Sequence, residues 1–383
     1  MKHGSALLLC LWLAACAGPA IAPRAEHLFA DALFAPPSEE IRAEDVFAVS
    51  AAMQHHLDAE LAPQVRSLGV RRGLIDALYS RGRLRIDYDS TMTRNAAQAF
   101  DAKAGNCLSL VIMTAAFAKQ LGLPVRYQNV FVDEAWSRVG GIYFASGHVN
   151  LTLGARMDDA RRIGERAQLL TVDFLPAQDI AGRRTREISE STVVAMYMNN
   201  RSAEALAQGR LDDAYWWARH AITHRPTHLN SYNTLGVVYL RHGDLALAQR
   251  TLEQALEHEP DNTRVLSNLA RVLTLAGRPD EARAVGARLA AIEPYPPFHF
   301  FDLGVAAMRA GDYQGARALF AKEVARDADY HEFHFWLALA HAGLGELPQA
   351  RKQLGLAMEA STTRKDREIY AAKLDRIRAT VAQ

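Results

Sequence analysis

The sequence is poor in cysteine, in charge of one sign and in long hydrophobic runs, and each shortage excludes a class of protein. Basic and acidic residues nearly balance, so the formal net charge of the 383 residues is +1. A nucleic-acid-binding surface needs clustered basic charge, and we therefore predict no nucleic-acid partner. The apolar run Ala6–Leu13 is shorter than the roughly 20 residues that cross a bilayer. With 49% hydrophobic residues, the chain is predicted to be globular, with two or more domains.

The first residues have the layout of a secretory signal. Lys2 precedes the apolar run, and small residues follow it up to Cys16. The ending "LAAC" resembles the bacterial lipobox, in which the signal is cleaved before the cysteine and the cysteine is acylated. This resemblance implies a signal peptide over 1–15 and a lipidated Cys16, which attaches the protein to a membrane. An ordinary signal that is cleaved nearby is the alternative.

The residues after Cys16 bear on where the protein resides. Residues 16–30 begin with "CAGPAIAPRA" and are predicted to form a flexible tether. In lipoproteins, an acidic residue directly after the cysteine often retains the protein at the inner membrane. Ala17 stands there instead. We therefore expect a lipoprotein of the bacterial cell envelope, held in the outer membrane and facing the periplasm.

Only three cysteines are present, and two of them belong to the export segment. Cys10 leaves with the signal peptide and Cys16 would carry the lipid. Cys107 is then the single free thiol in an oxidising compartment, with no disulfide partner and no cysteine cluster for zinc. His55 and His56 lack ligand spacing and are predicted to lie on an exposed helix face. The sequence thus predicts no metal and no cofactor, and Cys107 is a candidate nucleophile.

The second half of the chain repeats with a period of 34 residues. A glycine marks each copy, and an alanine follows it five residues later: Gly209, Gly243, Gly277, Gly311 and Gly345, with Ala214, Ala248, Ala282, Ala316 and Ala350. Glycine suits a turn, and alanine lets two helices approach closely. The pattern resembles the tetratricopeptide repeat. It implies an all-α solenoid of five repeats over 192–362 and a C-terminal capping helix over 363–383.

The solenoid by itself assigns no chemistry. Such a surface usually binds a protein or peptide partner, and a rigid spacer is the alternative. The aromatic stretches "YWWARH" (215–220) and "PFHFFDLG" (297–304) are predicted mainly to pack inside, with ligand anchoring as the alternative. The first copy has Arg201 and Ser202 where leucine and glycine are expected. We expect this copy to pack partly against the preceding domain.

The first half, residues 31–180, mixes helix and strand patterns. After Cys107, apolar residues recur at the spacing of one buried helical face: Leu108, Val111, Ile112 and Ala115. Residues 125–132 are predicted to form a strand and residues 133–141 a loop. The alternation in "GHVNLTLG" turns the apolar residues to the core and His148 to the opposite face. In "QLLTVDFLP", Asp173 is likewise predicted to point away from the apolar side chains.

A cysteine at a helix start, a histidine on a strand and an aspartate on a later strand follow one another here. This order resembles the transglutaminase-like superfamily, whose fold is a rearranged relative of papain. The most specific parts are "GNCLS" and "GLPVR", the latter matching the family's G-x-P-x-R. The resemblance covers about Thr93 to Pro176 and implies an α+β domain. Two positions depart from it, since Asn150 stands where many active members have an aromatic residue, and "DFLP" replaces a "DPT"-like tail.

The residue types suit catalysis by a thiol. A thiol of pKa about 8.5 is mostly protonated at neutral pH, and a helix N-terminus and an imidazolium both favour the thiolate. By the resemblance, Cys107 is the nucleophile, His148 the general base and then acid, and Asp173 the residue that orients the imidazole. The backbone N–H of Cys107 would help to bind the oxyanion. Asn106 or Gln128 would add a side-chain donor.

Together these features predict a lipid-anchored thiol hydrolase or acyltransferase that faces the periplasm. It would attack peptide or amide carbonyls through a thioester, and the bacterial members of the family favour hydrolysis over transfer. The repeats would recruit the protein substrate. The alternative is a non-catalytic adaptor or assembly lipoprotein, in which the repeats bind a partner and the first domain only keeps the fold.

Overall fold

A computed structural model describes residues 25–79, 86–89, 92–139, 142–154, 169–174, 182–361 and 364–381. Within these ranges a domain of helices and strands is followed by pairs of antiparallel helices. The predicted signal peptide, Cys16 and most of the predicted tether lie outside the described residues. No helix in the described ranges is long and apolar enough to cross a membrane.

The first domain begins with three 3-10 turns and continues into five α-helices, with a π-helical turn (Leu57–Leu61) between the first two. The turns are Glu26–Leu28, Asp31–Leu33 and Glu44–Phe47, and the helices are α1 (Ala51–His56), α2 (Ala62–Leu68), α3 (Val70–Tyr79), α4 (Ala96–Ala102) and α5 (Cys107–Gln120). His55 is exposed as predicted. His56 is buried, and the prediction of an exposed face is wrong for it, because its ring packs between Phe100 and Phe117.

The strands form two small sheets. Strand β1 (Asp87–Tyr88) pairs in parallel with β2 (Ala104–Gly105), and a four-stranded antiparallel sheet has the order β5-β4-β3-β6. Its strands are β3 (Val125–Val139), β4 (Ile142–Leu153), β5 (Leu170–Val172) and β6 (Thr185–Ile188). The prediction of a loop is wrong over 133–139, because β3 continues to Val139 and pairs again with β4 from Ala135, past an irregularity between Val130 and Ala135. Residues 140 and 141 of the predicted loop lie outside the described residues.

Helix α5 is the centre of the first domain. All eleven residues from Leu108 to Ala118 are buried, because α4, the turn Glu44–Phe47 and β4 all pack against the helix. The single buried face that we predicted is therefore too small. A helix buried all round needs apolar residues at every position, and this explains why the stretch carries almost no polar residues.

The second half consists of eleven helices: α6 (Glu190–Ala207), α7 (Leu211–His224), α8 (Leu229–His242), α9 (Leu245–His258), α10 (Thr263–Leu275), α11 (Pro279–Ile292), α12 (His299–Arg309), α13 (Tyr313–Arg326), α14 (His331–Gly343), α15 (Leu347–Ala360) and α16 (Arg364–Val381). All five periodic glycines have φ between 72° and 97°, which explains why glycine recurs there. Within α8, a Cβ on Gly236 would lie 2.7 Å from the Leu252 side chain. The glycine at this position therefore permits the close packing of α8 on α9.

The first repeat shares the core of the first domain, as expected. Val193, Tyr197 and Met198 of α6 and Trp217 of α7 belong to the same buried cluster as α5. Of the aromatic residues predicted mainly to pack inside, Tyr215, Trp217, Phe298 and Phe301 are buried, whereas Trp216 and Phe300 are half-buried. Further along, α11 has no buried residue, and the clusters before and after it are separate.

Candidate active site

Cys107 is the first residue of α5, and its side chain is half-buried. The helix begins here because Asn106 caps it: the Asn106 side-chain oxygen accepts hydrogen bonds from the Ser109 backbone N–H at 2.9 Å and the Ser109 hydroxyl at 2.8 Å. The first N–H groups of a helix are unpaired and carry partial positive charge. The thiol therefore lies where a helix stabilises an anion.

His148 lies on β4 and is buried, with 3% of its surface exposed. Its Nε2 is 2.6 Å from Asp173 Oδ1. Since a carboxylate only accepts hydrogen bonds, Nε2 carries a proton, and Nδ1 is left for another partner. Cys107 lies close enough to His148 for its charge to raise the pKa of the imidazole. The structure thus joins His148 to Asp173 by a direct hydrogen bond and places Cys107 in the neighbourhood of the imidazole.

The protonation of His148 follows from these contacts. Burial lowers the pKa of His148, but hydrogen bonds to Asp173 and Cys107 and the charges of both side chains raise it to about 9. The ring is then an imidazolium at neutral pH. An imidazolium with one N–H toward a carboxylate can direct the other toward a thiolate, and this is the arrangement that activates a cysteine nucleophile.

Asn150 holds Asp173 from the other side. Its Nδ2 donates to Asp173 Oδ2 at 2.7 Å, and only 4% of the Asn150 surface is exposed. Asp173 comes directly after Val172, the last residue of β5 that pairs with β4. Asn150, which departs from the resemblance drawn from the sequence, therefore contacts Asp173 and fixes its carboxylate. Strand alternation could have placed Asn150 on the same face as His148, because the two residues are two positions apart. The sequence does not show that Asn150 binds Asp173.

The two predicted oxyanion donors occupy different surroundings. The Asn106 Nδ2 donates to Thr93 Oγ1 at 2.9 Å, so both ends of this amide already have partners within the protein. Gln128 pairs with Asn150 in the β3–β4 register, and directly paired residues share one face of a sheet. Gln128 is therefore on the same sheet face as His148. A role in oxyanion binding stays a prediction for both residues.

Tyr88 is a neighbour of the site that the sequence did not indicate. It ends β1, whose partner β2 leads into Cys107. Partial desolvation and then the charges of Cys107 and Asp89 raise the pKa of Tyr88, although 57% of the residue is exposed. A two-residue strand has no periodicity from which to predict it. Among the described residues, no three acidic, histidine or cysteine side chains are grouped to hold a metal.

Comparison with known proteins identifies the repeats. A family model of the tetratricopeptide repeat matches residues 233–297 and 301–364, which confirms the repeat predicted from the 34-residue period. A segment of 78 residues is 37% identical to cellulose synthase operon protein C of Xanthomonas axonopodis pv. citri (strain 306). That segment spans 20% of this chain and only 5% of the relative.

Several solved structures resemble the chain at low identity. A thermophilic tetratricopeptide-repeat protein of Thermus thermophilus is 19% identical, over 47% of this chain and 98% of its own, with a TM-score of 0.34. PilF of Pseudomonas aeruginosa is 19% identical, over 49% and 92%, with a TM-score of 0.32. YrrB, a tetratricopeptide-repeat protein with an unusual peptide-binding site, is 19% identical, over 47% and 92%, at 0.26. These values are low, and the family match alone assigns the tetratricopeptide repeats of this chain.

Proposed function

We propose that the repeats bind a protein or peptide and that Cys107 attacks a carbonyl of this bound substrate. The observation that carries the proposal is the hydrogen bond between His148 and Asp173, with Cys107 at a helix start near the same imidazole. All three side chains are at least partly buried, and buried ionisable groups that perturb one another are typical of catalytic sites. The transglutaminase-like assignment of the first domain belongs to this proposal.

The proposed reaction has two steps. The Cys107 thiolate adds to the carbonyl carbon, and the backbone N–H of Cys107 donates to the oxyanion. His148 then gives its Nδ1 proton to the leaving amine, which departs as the thioester forms. In the second step a water oxygen attacks the thioester carbonyl, and the neutral His148 takes a proton from this water. The acid is released and the thiolate with its imidazolium is restored. An amine in place of water would give transfer instead.

Alkylation of Cys107 tests this proposal. In a chain that begins at residue 16 with Cys16→Ser, Cys107 is the only thiol. We expect iodoacetamide to modify it at about pH 6 faster than it modifies a free cysteine, because the imidazolium favours the thiolate. His148→Ala should abolish the advantage. Equal rates for the free thiol, the protein and the variant would contradict the proposal.

A non-catalytic adaptor is the second candidate, and the family match favours it. The matched residues lie in the repeats, a fold that commonly binds proteins. The similarity to a short part of cellulose synthase operon protein C is consistent with such a role. The two candidates differ in Cys107: the adaptor would keep its partner and its function in Cys107→Ser, whereas the enzyme would lose turnover and keep partner binding.

Lipid attachment at Cys16 and residence in the outer membrane, facing the periplasm, complete the proposal. Their support is the "LAAC" ending and the residue after it. Labelled palmitate should be incorporated into the wild-type protein and not into Cys16→Ser. A Cys16→Ser protein that stays membrane-bound, or a wild type without label, would contradict this part alone.

A further inference from the structure

The segment Ala25–Glu39, here called the strap, crosses the first two repeats in an irregular conformation. It contains two single 3-10 turns and no α-helix or strand. Most of its residues are exposed, but Leu28 is 0% exposed and Phe34 6%. Residues 25–30 were predicted to belong to the tether, and in the structure they lie against α7, α8 and α9. A segment that buries two large side chains and forms no α-helix or strand resembles a bound peptide.

The two anchors fit an aromatic surface. The Phe34 ring is stacked on Tyr215 of α7, with 4.0 Å between centroids and 4° between planes. The same ring lies 4.8 Å from the ring of His242 at the end of α8. Leu28 packs in the cluster that contains Tyr215 and Tyr239. Tyr239 also donates its hydroxyl to the Leu28 carbonyl at 2.6 Å.

A carboxylate lies between the anchors and has its own partners. Asp31 Oδ1 accepts hydrogen bonds from the Tyr215 hydroxyl at 2.5 Å and from Arg219 Nε at 2.7 Å. Burial raises the pKa of Asp31, but these two hydrogen bonds outweigh it and the net shift is downward. The Ala30 backbone N–H donates to the Tyr215 hydroxyl at 2.9 Å. Tyr215 therefore recognises a backbone amide, a carboxylate and an aromatic ring of the strap at once.

The second half of the strap is held through its backbone. The Ala35 carbonyl accepts from Trp216 Nε1 at 2.6 Å, and its N–H donates to Asp212 at 3.0 Å. Ser38 donates its N–H and its hydroxyl to Asp213 at 2.7 and 2.8 Å. The strap forms no strand, so side chains of the repeats satisfy its backbone groups at these positions. Side chains of a receptor bind a separate peptide in the same way.

The repeats also have a core of their own beneath the strap. Ala218 and Ile222 of α7 and Leu235 and Val238 of α8 are fully buried in one cluster. We propose that the surface formed by Tyr215, Arg219 and Tyr239 is a peptide-binding site that the chain's own strap fills. The site accepts an apolar residue, a carboxylate three residues later and an aromatic ring three residues after that, as in Leu28, Asp31 and Phe34. This inference does not rest on the chemistry of Cys107.

Cutting the strap from the rest of the chain tests the proposal. A protease recognition sequence inserted after the exposed Glu40 allows the full-length protein to be cleaved without removing anything. We expect the strap to stay bound through size-exclusion chromatography and to be displaced by an excess of synthetic peptide 25–39, with the helical circular dichroism unchanged. A strap that excess peptide does not displace, or a loss of helix on cleavage, would overturn the proposal.

Matched peptides define the specificity. Phe34→Ala and Asp31→Ala peptides should compete at least about tenfold more weakly than the native peptide, since each loses a buried or charge-paired contact. A Leu33→Ala peptide is the control, because Leu33 is 43% exposed and should compete like the native peptide. If the Phe34→Ala and Leu33→Ala peptides compete equally well, the surface does not recognise the aromatic ring of the proposed pattern, and the proposal is overturned.

Hydrogen exchange in the uncut chain provides a second measurement if the inserted sequence prevents folding. Phe34→Ala should raise the exchange of the strap amides, and Leu33→Ala should not. Protection of the helices α8 and α9 should persist in both variants. Loss of protection throughout the repeats in Phe34→Ala would mean that the strap is an integral part of the core, which contradicts a peptide site.

Discussion

Replacing Asp173 by asparagine removes the charge beside His148 and keeps a side chain of nearly the same size. Burial lowers the pKa of His148, but its contacts with Asp173 and Cys107 raise it to about 9. Relative to the ordinary value of about 6.5, this rise favours the protonated ring by roughly 3 kcal/mol, at about 1.36 kcal/mol per pKa unit. In Asp173→Asn burial still opposes the charged ring, while the carboxylate that accepts its Nε2 hydrogen bond is gone.

We therefore expect the pKa of His148 to fall by more than about one unit in Asp173→Asn. Titration of the imidazole Cε1–H signal by NMR measures it directly. Asp101→Asn is the matched control, because Asp101 is exposed on α4 and should leave His148 unchanged. A wild-type midpoint near the ordinary value, or an unchanged midpoint in Asp173→Asn, would refute the reasoning.

The same shift predicts how stability depends on pH. A raised pKa means that the folded state binds the proton more tightly, so the stabilisation is complete below about pH 6.5 and is lost as the pH rises through about 9. Urea unfolding should show the wild type losing up to roughly 3 kcal/mol over this window. Asp173→Asn should lose less. An identical pH dependence for the two proteins would contradict the coupling.

Two further predictions concern packing and hydrogen bonding. Asn150→Leu removes the amide that donates to Asp173 Oδ2 and should lower the free energy of unfolding in urea by about 1–3 kcal/mol. It should also lower the pKa of His148, but less than Asp173→Asn does. An unchanged stability and an unchanged pKa would exclude a positioning role for Asn150. Gly236→Ala forces a Cβ to within 2.7 Å of Leu252 and should cost about 1–3 kcal/mol. Gly355→Ala, where nothing lies within 4 Å, is its control, and equal effects would disprove close helix packing as the cause.

The repeats could be predicted from sequence because their determinants are local. Each periodic glycine is required by its own positive φ, and this requirement does not depend on any distant residue. The alanine five residues later packs within its own helix pair. A period of 34 residues in five copies therefore identifies the architecture before any contact is known.

The contact between His148 and Asp173 could also be predicted, but the residue that holds Asp173 could not. The bond from Asn150 to Asp173 joins residues 23 apart, and it depends on how β5 ends against β4. The loop prediction failed over 133–139 for a similar reason. The polar composition of these residues favours a loop, and cross-strand pairing with β4 overrides that local preference.

The strap was the hardest feature to predict. Its residues share no period with either domain, and the bond from Tyr215 to Asp31 spans 184 residues. A contact between residues so far apart in the chain cannot be inferred from the residues near either of them. The contacts emerge only because the first repeat packs on the first domain and brings the start of the chain to α7 and α8.

The ultraviolet absorbance of the thiolate examines the Cys107–His148 pair without a substrate. The difference spectrum between the single-thiol protein and its Cys107→Ser variant isolates this side chain. At about pH 6 an unpaired thiol is almost fully protonated. If His148 holds an imidazolium against Cys107, the thiolate absorbance is present at this pH in the wild type and absent in His148→Ala. A wild-type spectrum without thiolate absorbance at about pH 6 would contradict the proposed nucleophile.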